Sequence, residues 1–349
     1  MNEFWKGKRV LITGHTGFKG SWLALWLQQL GAHVTGLSLA PETPFFDTLD
    51  LGECLDHHVG DIRDIETVRG IVAQCDPQIV FHMAAQSLVL RSYSLPLETW
   101  GTNVTGSLHL MEAMRTLSGP RAVVMVTTDK VYANDEQSRA FSEEDQLGGH
   151  DPYSASKAAM EIAIDSWRKS FLSKTDVRMA SARAGNVIGG GDWAENRIVP
   201  DIARALAAGA AIEVRSPDAI RPWQHVLEPL RGYMNLAEQL YTSDDTTFQG
   251  AFNFGPADDG VRSVRDVVET ALAAWPGKWK DTSGGTVPHE AGVLTLSTQK
   301  AQRVLGHVGK WTFEQSVQAS MSWYRAVAEG GDVRQITLQQ LKAYDSLCS

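Results

Sequence analysis

Arg9-Val10-Leu11-Ile12-Thr13-Gly14-His15-Thr16-Gly17-Phe18-Lys19-Gly20-Ser21 is the stretch that decides the fold. Arg9–Thr13 is a short apolar run, which reads as a buried strand. The apolar residues from Trp22 onward read as a helix from about Gly20 to Leu30. Between the two, glycines at 14, 17 and 20 let the backbone turn sharply, approach a pyrophosphate and pack the helix close to a sheet. The helix N-terminus then turns its partial positive charge toward the phosphates. The spacing is Gly-x-x-Gly-x-x-Gly rather than the usual dinucleotide fingerprint Gly-x-Gly-x-x-Gly. A tight turn alone explains a glycine triplet. Its place after the first strand and before a helix makes a dinucleotide site the better reading, with Gly14, Gly17, Phe18, Lys19 and Gly20 as candidates.

Outward from that stretch, further apolar runs at His33–Leu37, Gln78–Met83 and Ala122–Thr127 read as strands. Leu95–Leu117 and Asp151–Leu172 have helical periodicity and length. The alternation predicts an α/β fold, a Rossmann-like doubly wound parallel sheet with ligands at the strands' carboxyl ends. Beyond residue 185 the pattern is irregular and predicts a smaller, mixed C-terminal lobe, with amphipathic helices over Val261–Trp275 and Thr312–Ala328. Residues 1–185 are read as the dinucleotide-binding domain, with segments around 225–255 returning to it. Residues 186–349 form mainly the substrate lobe, and the cleft lies between them. Asp61-Ile62 follows a strand-like segment and is placed to meet an adenine. Ala84-Ala85-Gln86 ends a strand where small residues let a dinucleotide pass. The strand at 33–37 runs into Gly36-Leu37-Ser38-Leu39 without the acidic residue that usually holds an NAD ribose, and His15 and Lys19 add positive charge nearby. From these residues alone NAD and NADP both stay open.

Composition narrows the function classes. The chain has 349 residues, 43% hydrophobic and 21% charged, enough for a real core. A net charge of −9 argues against nucleic acid as a partner. Cys54, Cys75 and Cys348 show no metal-type or disulfide spacing, so a reducing compartment and no metal are expected. No apolar run reaches the ~20 residues of a membrane span, and Met1–Lys8 leads into a strand without a signal-peptide core. A cytoplasmic enzyme with no membrane partner is expected. The eleven tryptophans are read as core and interface filling.

The chemistry is carried by Tyr153-Ser154-Ala155-Ser156-Lys157, which puts tyrosine and lysine on one helix face, and by Thr127-Thr128-Asp129-Lys130 at a strand end. A phenol titrating near 10 is a poor base at neutral pH. A lysine cation and a cationic nicotinamide lower that value if each stabilises the phenolate. Tyr-x-x-x-Lys alone is common on ordinary helices; here it follows the glycine loop and a strand-terminal Thr-Asp-Lys.

Together these residues resemble the extended short-chain dehydrogenase/reductase family over most of the chain. Gly14–Trp22, His82–Gln86, Thr127–Tyr132 and Arg183–Trp193 resemble its members that dehydrate nucleotide-activated glucose. The stretch Gly185-Asn186-Val187-Ile188-Gly189-Gly190-Gly191-Asp192-Trp193 points to the cytidine-activated form. The resemblance implies a recycled NAD, a homodimer built through two long helices per subunit, and a role in deoxysugar supply for bacterial surface glycans. It implies Tyr153, Thr128 and Lys157 for oxidation at carbon 4, Asp129 as acid and Lys130 as base for loss of water across carbons 5 and 6. Lys130 departs from the Glu that related dTDP-glucose enzymes carry. Thr102, Tyr153 and Lys157 complete the cofactor set. Arg197 and Arg221 match diphosphate contacts by order, since guanidinium forks fit phosphate oxygens. Asn186 is a polar anchor and Asn253 a weaker candidate. A nucleotide-sugar 4-epimerase shares the fold, NAD, Tyr153 and Lys157, but needs no acid–base pair such as Asp129-Lys130. A non-catalytic NAD sensor would not need the intact Tyr–Lys pair.

Overall fold

The central strands of the sheet are short aliphatic runs, and in the computed structural model they pair in parallel with less apolar edges to make seven strands. They are β1 Arg9–Thr13, β2 His33–Ser38, β3 Asp56–Val59, β4 Ile79–His82, β5 Arg121–Val126, β6 Val177–Arg183 and β7 Gly250–Asn253. Their order is β7-β6-β5-β4-β1-β2-β3, with every ladder parallel. The structure describes residues 2–134, 139–256, 258–284 and 294–348. From β1 the chain works outward to the β3 edge and then crosses back to β4. The β1/β4 boundary is therefore the switch point, where a crevice opens at the carboxyl ends.

Successive strand residues face opposite ways and feed two cores. Val10, Ile12, Ile79, Phe81 and Val124 join a cluster with helix α1 (Phe18–Gln29), whose Trp22 and Trp26 are fully buried. Leu11, Val80, Val123 and Met125 face the second cluster, covered by α2 (Ile65–Cys75), α3 (Ser107–Arg115) and α4 (Pro152–Trp167). The remaining long helices are α5 (Ile198–Ala207), α6 (Leu227–Thr242), α7 (Val264–Ala274), α8 (Phe313–Ala328) and α9 (Val333–Asp345). After the chain leaves the sheet at residue 183, α6 packs back on β5 and β6, and β7 adds to the β6 edge.

Two expected helices are built differently. Val261–Ser263 is a short strand, antiparallel to Ile220–Pro222. Helix α7 begins only at Val264 because Ser263 and Asp266 cap its start reciprocally. The stretch expected as one helix over 95–117 is instead Pro96–Trp100, a widened turn at Gly101–Gly106, and α3. Ile62 packs where a Cβ at Gly106 would sit, 2.6 Å from its Cδ1. Strand β6 went unread, and the strand-like segment before Asp61 is β3, a half-exposed edge with His57 and His58 inside it. Among the described residues no helix is long and apolar enough to cross a membrane.

Candidate active site

The glycine loop makes its cradle from backbone. Gly14 has φ +78°, donates its N–H to the Leu37 carbonyl at 2.8 Å, and a Cβ there would lie 2.7 Å from the Ala84 nitrogen. Only glycine turns there while letting β1 and the loop after β4 close together. Gly17 stands at the N-cap of α1, exposed, without a side-chain cap. The first amides of α1 therefore point outward with no intrahelical partner, the arrangement that accepts a phosphate. A pyrophosphate fits this cradle, against which the backbone of the small Ala84 packs at Gly14.

The side chains around the cradle need several corrections. His15 does not add positive charge: it is buried, its Nε2 lies 2.6 Å from His57 Nδ1, and burial with the nearby His57 pulls its pKa down to about 3. Lys19 is lowered to about 8 by burial and by Arg197, so it stays mostly charged at pH 7. Its charge reaches Asp129 and Asp192, on the catalytic side of the cradle. Asp61 is engaged by the Arg63 guanidinium at 2.8 Å, which holds its carboxyl below the usual range. The Ile62 side chain is core, turned against Gly106 rather than toward an adenine. The Gln86 amide is spent inside its own loop, on Leu88 and Thr99. Thr102 is half-buried in the widened turn. Where an acid was missing after β2, Ser38 meets the Thr16 hydroxyl at 2.7 Å.

Asp151 caps α4 through the Ser154 amide and Pro152 fills its first turn, so Tyr153 and Lys157 project from one face. Tyr153, 7% exposed, has the Thr128 hydroxyl close enough to favour its phenolate, and Thr128 donates to Asp129 Oδ1 at 3.0 Å. Phenol, hydroxyl and carboxylate thus stand in one row. Gly185 makes room for it, since a Cβ there would fall 1.8 Å from Asp129 Oδ2. That oxygen is buried and finds no partner among the described residues. Lys130 follows, half-buried at the strand end.

The phenolate expected from the Tyr–Lys spacing is not made by the chain's own groups. Burial pushes the Tyr153 phenol up to about 12; Thr128 opposes this and Asp129 adds to it. Lys157 points its Nζ at the Val126 carbonyl, 3.1 Å away. Burial, helped by Lys19, lowers it to about 7.

On the substrate side, Gly189–Gly191 pack under Trp22, Phe45 and Trp323, and Tyr324 binds the Gly189 and Asp192 carbonyls. This braced turn aims Asp192 at Arg197, N-cap of α5, across 2.8 Å. Asn186 sits at φ +47° with its buried Nδ2 unpartnered among the described residues. Arg221 is buried and donates to the Ile220 carbonyl at 2.8 Å. Asn253 is a correction. It is fully buried, it accepts from Tyr132 at 2.7 Å and donates to the Phe141 and Ser297 carbonyls, so it locks β7 rather than greeting a sugar. Tyr132 in turn joins Arg183, whose guanidinium meets Glu161 at 2.9 and 3.0 Å. Sequence reasoning missed Asp192 as the partner of Arg197, although it lies in the quoted motif. It also missed Tyr233, a buried phenol of α6 whose spacing in sequence is that of an ordinary core residue.

A family model described as GDP-mannose 4,6 dehydratase matches residues 11–320. A CDP-glucose 4,6-dehydratase of Salmonella typhimurium is 43% identical over 99% of this chain and 98% of its own. A dTDP-glucose 4,6-dehydratase of Escherichia coli is 25% identical over 90% of this chain and 92% of its own. Among solved structures, a dTDP-glucose 4,6-dehydratase from Streptomyces venezuelae with NAD and TYD bound superposes with a TM-score of 0.78 at 22% identity, covering 92% of this chain and 98% of that one. A UDP-glucose 4-epimerase from Thermotoga maritima reaches 0.79 at 20%, covering 91% and 99%. The fold is thus common to dehydratases and epimerases, and the closer sequence likeness is to a dehydratase.

Proposed function

This chain belongs to the GDP-mannose 4,6 dehydratase family, and from that premise we propose that it converts CDP-glucose to CDP-4-keto-6-deoxyglucose with a recycled NAD. The nucleotide is supported by the end-to-end likeness to a CDP-glucose enzyme. The observation that carries the chemistry is the run Tyr153–Thr128–Asp129 with Lys130 beside it. A 4-epimerase needs no acid–base pair to expel water. When bound in the glycine cradle, NAD supplies a cationic ring beside the phenol, the acceptor for the hydride of carbon 4, and its return at carbon 6.

The chain's own groups then divide the proton traffic. Tyr153 takes the proton of the 4-hydroxyl, and the Thr128 hydroxyl gives it a hydrogen-bonded path toward Asp129. The new ketone acidifies carbon 5, from which Lys130 removes a proton. Asp129 protonates the departing 6-hydroxyl, and water leaves. Lys19, joined by Lys157 when protonated, keeps the pocket positive, while Arg197, braced by Asp192, and Arg221 serve the diphosphate, with Asn186 beside them. Residues 186–349 contribute most of this side and 1–185 the cofactor side.

A homodimer in the cytoplasm, feeding deoxysugar supply for surface glycans, completes the reading. Its dimer face is supported by Leu97 (86% exposed) and Ile162 (62% exposed), apolar residues of the helix Pro96–Trp100 and of α4, which pack on one another. The test is turnover of CDP-, dTDP-, UDP- and GDP-glucose, read by the alkali-shifted absorbance of a 4-keto-6-deoxy product. CDP-glucose is expected to lead in kcat/KM by well over tenfold. Equal use of another nucleotide would remove the CDP assignment, and an epimerised product without water loss would remove the dehydratase.

A further inference from the structure

Tyr233 is the buried phenol that the mechanism above leaves without work. Helix α6 starts beside the end of β6, where Gln224–His225 pairs with Val187–Ile188. It runs back down the sheet until Arg178, near the start of β6, reaches the Leu240 and Tyr241 carbonyls. Helical side chains lean toward their own N-terminus, so Tyr233 leans toward the carboxyl ends of the strands. Phe254 fixes its ring edge-on at 5.4 Å, and Lys19 Nζ lies 5.8 Å above it. Gly232 leaves the space that the Phe254 ring fills.

The hydroxyl is the anomaly. Tyr233 is 0% exposed, and its oxygen finds no partner among the described residues, as is true of Asp129 Oδ2. Burying such a group unpaired costs stability, and phenylalanine would fill the same space without that penalty. The phenol is electrostatically coupled to Tyr153 and Asp129, behind burial, which is the main reason its pKa rises above the ordinary range. It therefore remains a neutral donor throughout the working pH range. In the proposed reaction Tyr153 and Thr128 serve the 4-oxygen and Lys130 serves carbon 5. The leaving oxygen has only Asp129.

We propose that Tyr233 donates a hydrogen bond to the sugar's 6-oxygen while Asp129 protonates it, so that both unpartnered groups close on the leaving group. In that step Lys130 takes the carbon 5 proton, the C5–H electron pair becomes the C5–C6 double bond, and the C6–O bond breaks. The oxygen departs as water, carrying the Asp129 proton and held by the Tyr233 O–H. The inference rests on the dehydratase reading.

Tyr233→Phe tests it. Thermal stability should be equal or higher, because only an unpaired hydroxyl is lost. With CDP-glucose, kcat should fall about 10- to 100-fold, the range for one hydrogen bond at a reacting oxygen. In heavy water, unreacted substrate should gain deuterium at carbon 5, since proton removal outlives the stalled departure. Unchanged kcat, or carbon 5 exchange falling in step with turnover, overturns the assignment. A binding arm stands apart from turnover: in a Tyr153→Phe background, NAD-loaded protein should bind CDP-glucose more tightly than its 6-deoxy analogue. Adding Tyr233→Phe should erase most of that preference. An undiminished preference overturns the contact. Native protein that makes no dehydrated product removes the function reading, while the binding arm still decides the contact.

Discussion

Two buried polar clusters sit a few residues apart on the same strand ends, and they are built on opposite rules. In the first, Glu161 accepts from Thr127, Ser181 and Arg183, Arg183 donates on to Tyr132, and Tyr132 to Asn253. Burial opposes the Glu161 charge, yet these donors outweigh it and hold its pKa below the ordinary value. In the second, with Asp129 two residues beyond Thr127, Asn186 three beyond Arg183 and Tyr233 on α6, Asp129 Oδ2, Asn186 Nδ2 and the Tyr233 hydroxyl stay unpartnered among the described residues. Tyr153 and Lys157 are driven toward their neutral forms. A satisfied buried network specifies the fold, and an unsatisfied one costs stability that a ligand can return.

The contrast breaks if the first cluster proves catalytic or the second structural. Arg183→Met, which leaves Glu161 charged, buried and unpaired, should cost about 3–5 kcal/mol of unfolding free energy by urea denaturation. A midpoint close to that of the native protein would show that the pair does not hold the sheet. Lys130→Met lies on the other side. It should slow elimination by ~10²–10⁴ and let reduced cofactor accumulate as near-ultraviolet absorbance on mixing with substrate. Deuterium incorporation at carbon 5 should slow by the same factor; normal exchange would reassign the base. Tyr153→Phe should lose about a hundredfold or more in kcat/KM while its melting temperature hardly moves. A large fall in stability with near-normal turnover would place Tyr153 in the first class.

The smallest effect concerns Lys157. Its folded pKa of about 7 lies below the ordinary lysine value of 10.5, so the folded state binds fewer protons between those limits. Stability therefore rises with pH across that window, and the penalty of burying the cation is greatest below pH 7. Lys157→Met should remove that penalty, stabilising the cofactor-free protein more at pH 6 than at pH 9, by about 2 kcal/mol. An equal gain at both values would mean that Lys157 keeps its charge in the fold.

What the sequence by itself determined is what neighbours in the chain decide. The strand–glycine–helix cradle, the cap that starts α4, the Tyr153–Lys157 face and the Thr128–Asp129–Lys130 strand end all lie within a few residues, so spacing and turn chemistry are enough to read them. The doubly wound sheet follows from the same local alternation. Tertiary structure alone decided which polar groups find partners, because those partners are distant: Tyr132 and Asn253 are 121 residues apart, Trp22 and Gly190 168. It also fixed the protonation of His15, Tyr153 and Lys157, since desolvation is a property of everything packed around a group and not of its neighbours in sequence. That is why Asn253 read as a ligand contact and became a clamp, and why Tyr233, which no sequence signal singles out, stands buried with an unpartnered hydroxyl among the described residues.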